Sequence, residues 1–265
     1  MAAVRALRPP FTVTIAVWKA LFLREALSRL AQDRIAWALL IVEPLFHVSL
    51  LMWVFVSGFR QKAIAGADVG VFIMVGILGF FLVRNMMNRA MEAINASEAL
   101  FAFRQVMPVD TVLVRAVLEG VLVLVLFLVM FTGGALLEYP VYPADLLGAL
   151  RALGALWLAG LGLGLVLSVV GNLVEEFARL VRLLFTPLYF FSAVIFPLAI
   201  LPPAIRDILL LNPIVHGLES LRVAFMPGYQ VSPGIDLSYL LTFSVVLIFL
   251  GLALHIQYRS RLMTA

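Results

Sequence analysis

Six continuous apolar runs occupy most of this chain, at Ile35–Gly58, Val69–Ala90, Val112–Leu137, Leu146–Gly171, Leu183–Ala199 and Leu237–Gln257. A helix needs roughly 20 mostly apolar residues to cross a bilayer. Lipid offers backbone N–H and C=O groups no water, so each run must close its own hydrogen bonds, and an α-helix does this within one segment. A transmembrane barrel would read as short alternating segments, and these runs do not alternate. The expected fold is an all-α membrane protein of six transmembrane helices. It forms a single domain over 1–265, with a cytoplasmic segment 1–34 followed by a six-span bundle over 35–257. Charged residues are 13% of the chain, well under the roughly 25% of soluble domains, so no second, soluble domain is expected.

The net charge of +4 is sorted by side rather than gathered into a nucleic-acid surface. With both termini cytoplasmic, Arg5, Arg8, Lys19, Arg24, Arg29, Arg34, Arg84, Arg89, Arg104, Arg115, Arg179, Arg182, Arg259 and Arg261 lie on or near the cytoplasmic side. Only Arg60, Lys62, Arg151, Arg206 and Arg222 of the 19 Lys and Arg lie on the other. This is the positive-inside pattern of a membrane protein. The segment Met1–Arg34 lacks the positive start, short apolar core and cleavage site of a signal peptide. Without cysteine, the chain has neither disulfides nor thiolate metal sites.

Within this frame, four segments carry polar groups worth placing. Phe11–Leu30 reads as an interfacial helix, with Phe22, Leu23, Ala26, Leu27 and Leu30 on one face and Arg24, Glu25, Ser28 and Arg29 on the other, the charged face toward headgroups. In the first span Glu43 and His47 are four apart and share a helix face. Ionisable groups at such depth face protein or water, so the pair is either part of a translocation path or a packing pair; two ligands without a nearby third are too few for a metal site. The loop Ala90–Val109 reads as a short cytoplasmic helix whose aromatics beside charges suit a partner protein. The fourth span holds Gly160 and Gly164, a spacing that lets helices approach closely.

Beyond the fifth span the pattern changes. Pro187 and Pro197 should bend or shorten it. Pro202-Pro203 opens a short segment to Leu211, and Asn212 followed by Pro213 is an N-cap with proline at the first helical position. The second short helix runs to about Phe225 and carries His216, Glu219 and Arg222 on one side. Both pieces are too short to span and read as a re-entrant or surface hairpin.

No phosphate-binding Gly-x-x-x-x-Gly-Lys-Ser/Thr loop is present, and no zinc-protease, serine-elbow or cysteine-nucleophile motif. The three histidines are scattered. The chain is therefore read as a non-enzyme, with no catalytic or metal-binding residues.

Several stretches together resemble the membrane subunit of ABC-2 type transporters, most of all the capsular-polysaccharide exporters of Gram-negative bacteria. They are Ala20-Leu-Phe-Leu-Arg-Glu25, Glu43-Pro44, Leu100-Phe-Ala-Phe-Arg104 leading to Pro108-Val-Asp-Thr111, Pro187-Leu-Tyr-Phe-Phe-Ser192 with Phe196-Pro-Leu198, Asn212-Pro-Ile-Val-His216 and Met226-Pro-Gly-Tyr229. The resemblance covers nearly the whole chain in order. It implies a homodimeric permease in the bacterial inner membrane, coupled to two copies of a separate ATPase that binds the ATP and Mg, so that this chain holds no cofactor itself. It further implies that a lipid-linked acidic polysaccharide is exported, with a periplasmic co-polymerase and an outer-membrane exporter completing the route. By the same resemblance Glu92, Asn95, Glu98, Phe101, Phe103, Arg104 and Arg24 belong to the ATPase-coupling face. Pro202, Asn212, Pro213, His216, Glu219 and Arg222 belong to the external gate. Candidates for the path are Glu43 and His47, the aromatics Trp37, Trp53, Phe55, Tyr189, Phe190 and Phe196 as stacking surfaces for sugar rings, and Arg84, Arg89, Arg179 and Arg182 as holders of acidic groups. An ABC-2 exporter of O-antigen, lipid or drug, a membrane-embedded glycan or lipid transferase, and a non-transporting envelope scaffold are the alternatives.

Overall fold

A computed structural model describes residues 11–31, 34–55, 63–136 and 141–263, with side chains described except at 30–31, 34–41, 63–64 and 175. The chain is helical almost throughout. The helices are α1 (Phe11–Ala31), α2 (Arg34–Trp53), α3 (Val69–Met91), α4 (Pro108–Leu136), α5 (Leu146–Leu173), α6 (Glu175–Phe191), α7 (Pro203–Leu209), α8 (Pro213–Phe225), α9 (Leu237–Gln257) and α10 (Arg259–Leu262). A two-stranded hairpin, β1 (Ala63–Ile64) and β2 (Ala67–Asp68), precedes α3, and a 3₁₀ helix (Asn95–Ala102) follows it. Among the described residues four helices, α3, α4, α5 and α9, are long and apolar enough to cross a membrane, or five spans if the bent pair α7–α8 counts as one.

The centre of the bundle is α3. Nearly all of it is buried, and it packs against α2, α4, α5, α6 and α8. Asp68 sets its start, its carboxylate accepting from the Gly70 and Val71 N–H groups at 2.8 and 3.1 Å; these are orphan donors of the first turn. The hairpin turn before it uses positive φ at Ala65 and Gly66, the backbone that two-residue hairpin loops require.

Close approach to α3 and α9 explains Gly160, Gly162 and Gly164 of α5. A Cβ at Gly160 would meet the Met86 sulfur at 2.8 Å, and one at Gly164 the Ala90 Cβ at 2.9 Å, both on α3. On the other face a Cβ at Gly162 would meet the Ser244 carbonyl oxygen of α9 at 3.0 Å. Gly164→Leu is accordingly expected to cost about 1–3 kcal/mol or more through overpacking, read as a lowered Tm of the detergent-solubilised chain. Gly154→Leu, where a Cβ meets nothing within 4 Å, should leave Tm unchanged.

Two expectations are corrected. The fifth apolar run is not one helix over Leu183–Ala199. Helix α6 starts at Glu175 and stops at Phe191, and the chain turns at Ser192–Phe196. Pro187 is tolerated inside α6, while Pro197 lies beyond it; hydropathy alone started the run too late because Glu176, Arg179 and Arg182 occupy its first two turns. The second correction concerns α1. Its charged residues Glu25 and Arg29 are turned into the protein, and Leu23 and Leu27 are exposed. The amphipathic reading fails at Glu25 and Arg29 because α4 carries two buried charges, Arg115 and Glu119, which need partners more than α1's leucines need burial; Arg24 stays exposed and Phe22 half-buried.

Candidate functional site

Three groups of polar side chains stand out, one at each end of α3 and one along its flank. The flank group joins α2, α3 and α6. Pro44, inside α2, removes a helical hydrogen bond next to Glu43. The Glu43 carboxylate pairs with the Arg84 guanidinium at 2.9 Å, and Arg84 lies over the Phe81 ring at 3.9 Å. One turn on, His47 Nε2 is 3.3 Å from the Tyr189 hydroxyl and edge-on to Phe81. Tyr189 in turn meets Phe80 and Phe190 edge-on, with centroids 5.3 and 5.6 Å apart. The structure therefore brings together Glu43, His47, Arg84, Tyr189 and Phe190. It leaves Phe196 apart, packed with Ala193, Leu198, Leu209 and Val215 beneath α7. Phe55 packs on the main core, Trp53 is 65% exposed, and the Trp37 side chain lies outside the described residues.

At the N-terminal end of α3 is the α7–α8 hairpin, whose two helices meet at 102°. Pro202 and Pro203 open α7. Asn212 caps α8, accepting from the Ile214 N–H at 3.1 Å, with Pro213 at the first helical position; its amide donates to the Phe191 carbonyl oxygen and the Ser192 hydroxyl. His216 is engaged at both nitrogens: Nδ1 accepts from the Asp236 N–H at 2.9 Å and Nε2 donates to the Leu210 carbonyl oxygen at 2.8 Å. This clamps α8 to the loops on either side.

Glu219 and Arg222 are wholly buried and pair at 2.7 Å. The other Arg222 amino group donates to the Val194 carbonyl oxygen at 2.6 Å, and the guanidinium stacks 3.8 Å from the Phe72 centroid. The Tyr229 hydroxyl lies 2.9 Å from both Glu219 oxygens. Burial, with the neighbouring carboxylate, pushes this phenol far above its ordinary range, so it remains a donor. A Cβ at Gly76 would strike both the Val194 carbonyl oxygen and the Arg222 guanidinium; glycine there is what lets the network close onto α3. In this conformation the network is a sealed joint, not the lining of an open passage.

The C-terminal end of α3 meets α1, the 3₁₀ helix and the start of α6. Phe101 is buried with Leu21, Ile94, Val106, Val169 and Leu262, while Glu98, Phe103 and Arg104 are exposed. Arg24 donates to the Ser97 hydroxyl at 3.2 Å. Arg182 pairs with Glu92 at 3.3 Å, and Asn172 bonds to Asn95. Glu92, Asn95, Arg179 and Arg182 border a cavity of about 430 Å³.

Sequence reasoning missed the ion-pair network just inside this end. Arg29 of α1 reaches Glu119 of α4 at 2.7 Å, Arg115 reaches Glu25 at 3.3 Å, and Arg29 also lies 3.5 Å from Glu25. Arg89, one of the candidates for holding acidic groups, lies 3.9 Å from Glu119, and its carbonyl oxygen accepts from Arg115. Trp18 donates to the buried Asp110 at 2.8 Å. The one signal was Arg115 and Glu119 four apart at the start of an otherwise apolar span, a pair that must find protein partners.

The family model for ABC-2 type transporters matches residues 16–226. The chain is 34% identical over 258 residues to the polysialic acid transport protein KpsM of Escherichia coli, covering 96% of each. It is 30% identical over 241 residues to the capsule polysaccharide export inner-membrane protein CtrC of Neisseria meningitidis, covering 90% of this chain and 89% of that one. A third relative, BexB of Haemophilus influenzae, is 27% identical over 243 residues, again 90% and 89%. With this similarity along nearly its whole length, and with apolar helices that make it a multi-pass membrane protein, the chain belongs to the ABC-2 type transporter family.

Proposed function

We propose that this chain is the inner-membrane permease of an ATP-driven exporter that moves a lipid-linked, acidic capsular polysaccharide out of the cytoplasm. The single observation that carries the reading is similarity along 96% of the chain to a protein named for polysialic acid transport. The permease acts as a homodimer with two copies of a separate ATPase, which supplies ATP hydrolysis. α2 and α6 also cross the membrane, completing six spans with both termini cytoplasmic, and a periplasmic co-polymerase and outer-membrane exporter receive the chain.

The geometry supports a path along α2 and α6. Both present apolar faces to the outside, Phe46 and Trp53 on α2 and Leu180 and Leu183 on α6, each more than half exposed. Helices that join a second copy would cover such faces, and the Glu43–Arg84 and His47–Tyr189 pairs stand at their edge. Nucleotide-driven closure of the ATPases pushes on the 3₁₀ helix and on α1. The movement separates α2 from its neighbour in the dimer, and sugar rings slide over Tyr189 and Phe190. The α7–α8 hairpin is the external gate.

Deleting the gene should remove glycan from the surface and leave a pool inside the cell; an unchanged surface would overturn the reading, and loss from both places would indicate synthesis instead. Within the permease, Arg182→Glu should lower export about tenfold, a 1.4 kcal/mol effect on the barrier. Folded yield should hold, because its ion pair with Glu92 is half exposed and such pairs contribute about 1 kcal/mol or less. Surface glycan quantified against the amount of membrane-inserted protein checks both parts.

A further inference from the structure

We propose that the outer surface of α1, α4 and α5 holds one anionic phospholipid, its acyl chain along α4 and its phosphate at Lys19. Two cavities make up the site, of about 440 and 320 Å³. They share Val117 and Trp157 and so form one groove. The first lies between α1 and α4, and the second continues along α4 to Leu124 beside Gly154 of α5.

Its length and polarity select the occupant. From Leu113 to Leu124 the groove follows α4 for about 16 Å, at 1.5 Å per residue. Half of the roughly 30 Å hydrocarbon core is one leaflet, so the groove is about one leaflet deep. Its side chains are apolar along this length. Both indole N–H groups are already satisfied, Trp18 by Asp110 and Trp157 by the Ala116 carbonyl oxygen, each at 2.8 Å, which leaves apolar ring faces as walls. Among the described residues the one charge lining it is Lys19, at the α1 end. It is exposed and makes no hydrogen bond or ion pair among the described residues. A lone cation at the mouth of a leaflet-deep apolar groove complements a phosphate joined to an acyl chain.

Glycine keeps the groove open. A Cβ at Gly120 would meet Trp157 at 2.8 Å, and a Cβ at Gly154 would enter empty space. The groove belongs to α1, α4 and α5, whereas the Glu43–His47–Tyr189 group belongs to α2, α3 and α6. The lipid is therefore a resident one rather than the anchor of a transported molecule. It fills the gap under the first half of α1, whose second half is held by Glu25 and Arg29, and so supports the docking of α1. This inference needs α4 and α5 to lie in a membrane and is independent of what is exported.

The test is native mass spectrometry of the full chain in mild detergent, titrated with dioleoylphosphatidylglycerol or dioleoylphosphatidylcholine. The wild type should retain one phosphatidylglycerol about tenfold more tightly than phosphatidylcholine. Val117→Trp, which blocks the junction of the two cavities, and Lys19→Glu should each weaken that retention by about tenfold. Leu128→Trp, on an exposed position of α4 outside the groove, should behave as wild type. Gly154→Leu narrows the groove from α5 and decides the matter if Val117→Trp does not fold. Undiminished phosphatidylglycerol retention in the folded groove variants, or equal retention of the two lipids by the wild type, overturns the proposal.

Discussion

Arg222→Met should leave little folded protein. The substitution removes a wholly buried cation that holds Glu219, the Val194 carbonyl oxygen and the Phe72 ring at once. Glu219 would keep only the Tyr229 hydroxyl and remain a buried, uncompensated carboxylate. Removing one partner of a buried ion pair costs about 3–5 kcal/mol, which is a large fraction of the 5–15 kcal/mol stability of a typical folded chain. The double variant Glu219→Leu/Arg222→Met removes both charges and should recover most of the lost stability, since an apolar replacement of a buried pair is often neutral or better. Thermal unfolding of the single and double variants in detergent gives the comparison. A double variant no more stable than Arg222→Met would show that the contact to Val194 and the stacking on Phe72, not the charge balance, hold α8 against α3. Recovery of folding with export still lost would show that the joint is needed for gate movement as well as for stability.

Glu119→Ala is expected to release α1 from the bundle. Glu119 is buried and receives Arg29 at 2.7 Å and Arg89 at 3.9 Å, so its loss leaves Arg29 inside the protein with only Glu25 at 3.5 Å. The expected cost is again about 3–5 kcal/mol, but it falls on one element. The second anchor, Arg115 to Glu25, does not replace it, because Glu25 then faces two guanidinium groups with one carboxylate. Limited proteolysis should cut α1 at least tenfold faster, corresponding to about 1.4 kcal/mol or more of local opening, while helices α3, α5 and α9 stay protected. Export should fall with the docking of α1, since α1 is one of the two elements proposed to receive the ATPase stroke. If α1 stays protected, the Trp18–Asp110 bond and the Leu21 contacts are the true anchors.

Much of this was legible in the residues themselves. Runs as long and apolar as 69–90 and 237–257 have no stable alternative to a helix in lipid, and the helices Val69–Met91 and Leu237–Gln257 lie within a residue of those bounds. The cap at Asn212-Pro213 is a local event, decided by side-chain chemistry over three residues, and α8 begins there. Other features depend on partners far away in the chain. Whether Glu25 and Arg29 face headgroups or protein is decided by Arg115 and Glu119, some 90 residues on, and no helical periodicity contains that information. The same holds for α6. Its first turns carry Glu176, Arg179 and Arg182, which hydropathy reads as loop, yet the chain is helical there, with Ala178 close against Gly171 and Arg182 pairing at the surface with Glu92.

Among the candidate site residues the division is similar. Glu43 and His47 share a face by spacing alone, and Glu219 and Arg222 do so at i and i+3. Only the packed structure decides that the first pair stays at the edge of the bundle beside Arg84 and Tyr189, while the second is shut inside against Gly76 and Phe72. By itself the sequence determined the class of protein, because apolar length and backbone hydrogen bonding leave a membrane-embedded chain almost no choice. The tertiary structure alone decided which charges are buried together and which face outward, because a buried charge is tolerated only where another element brings its partner.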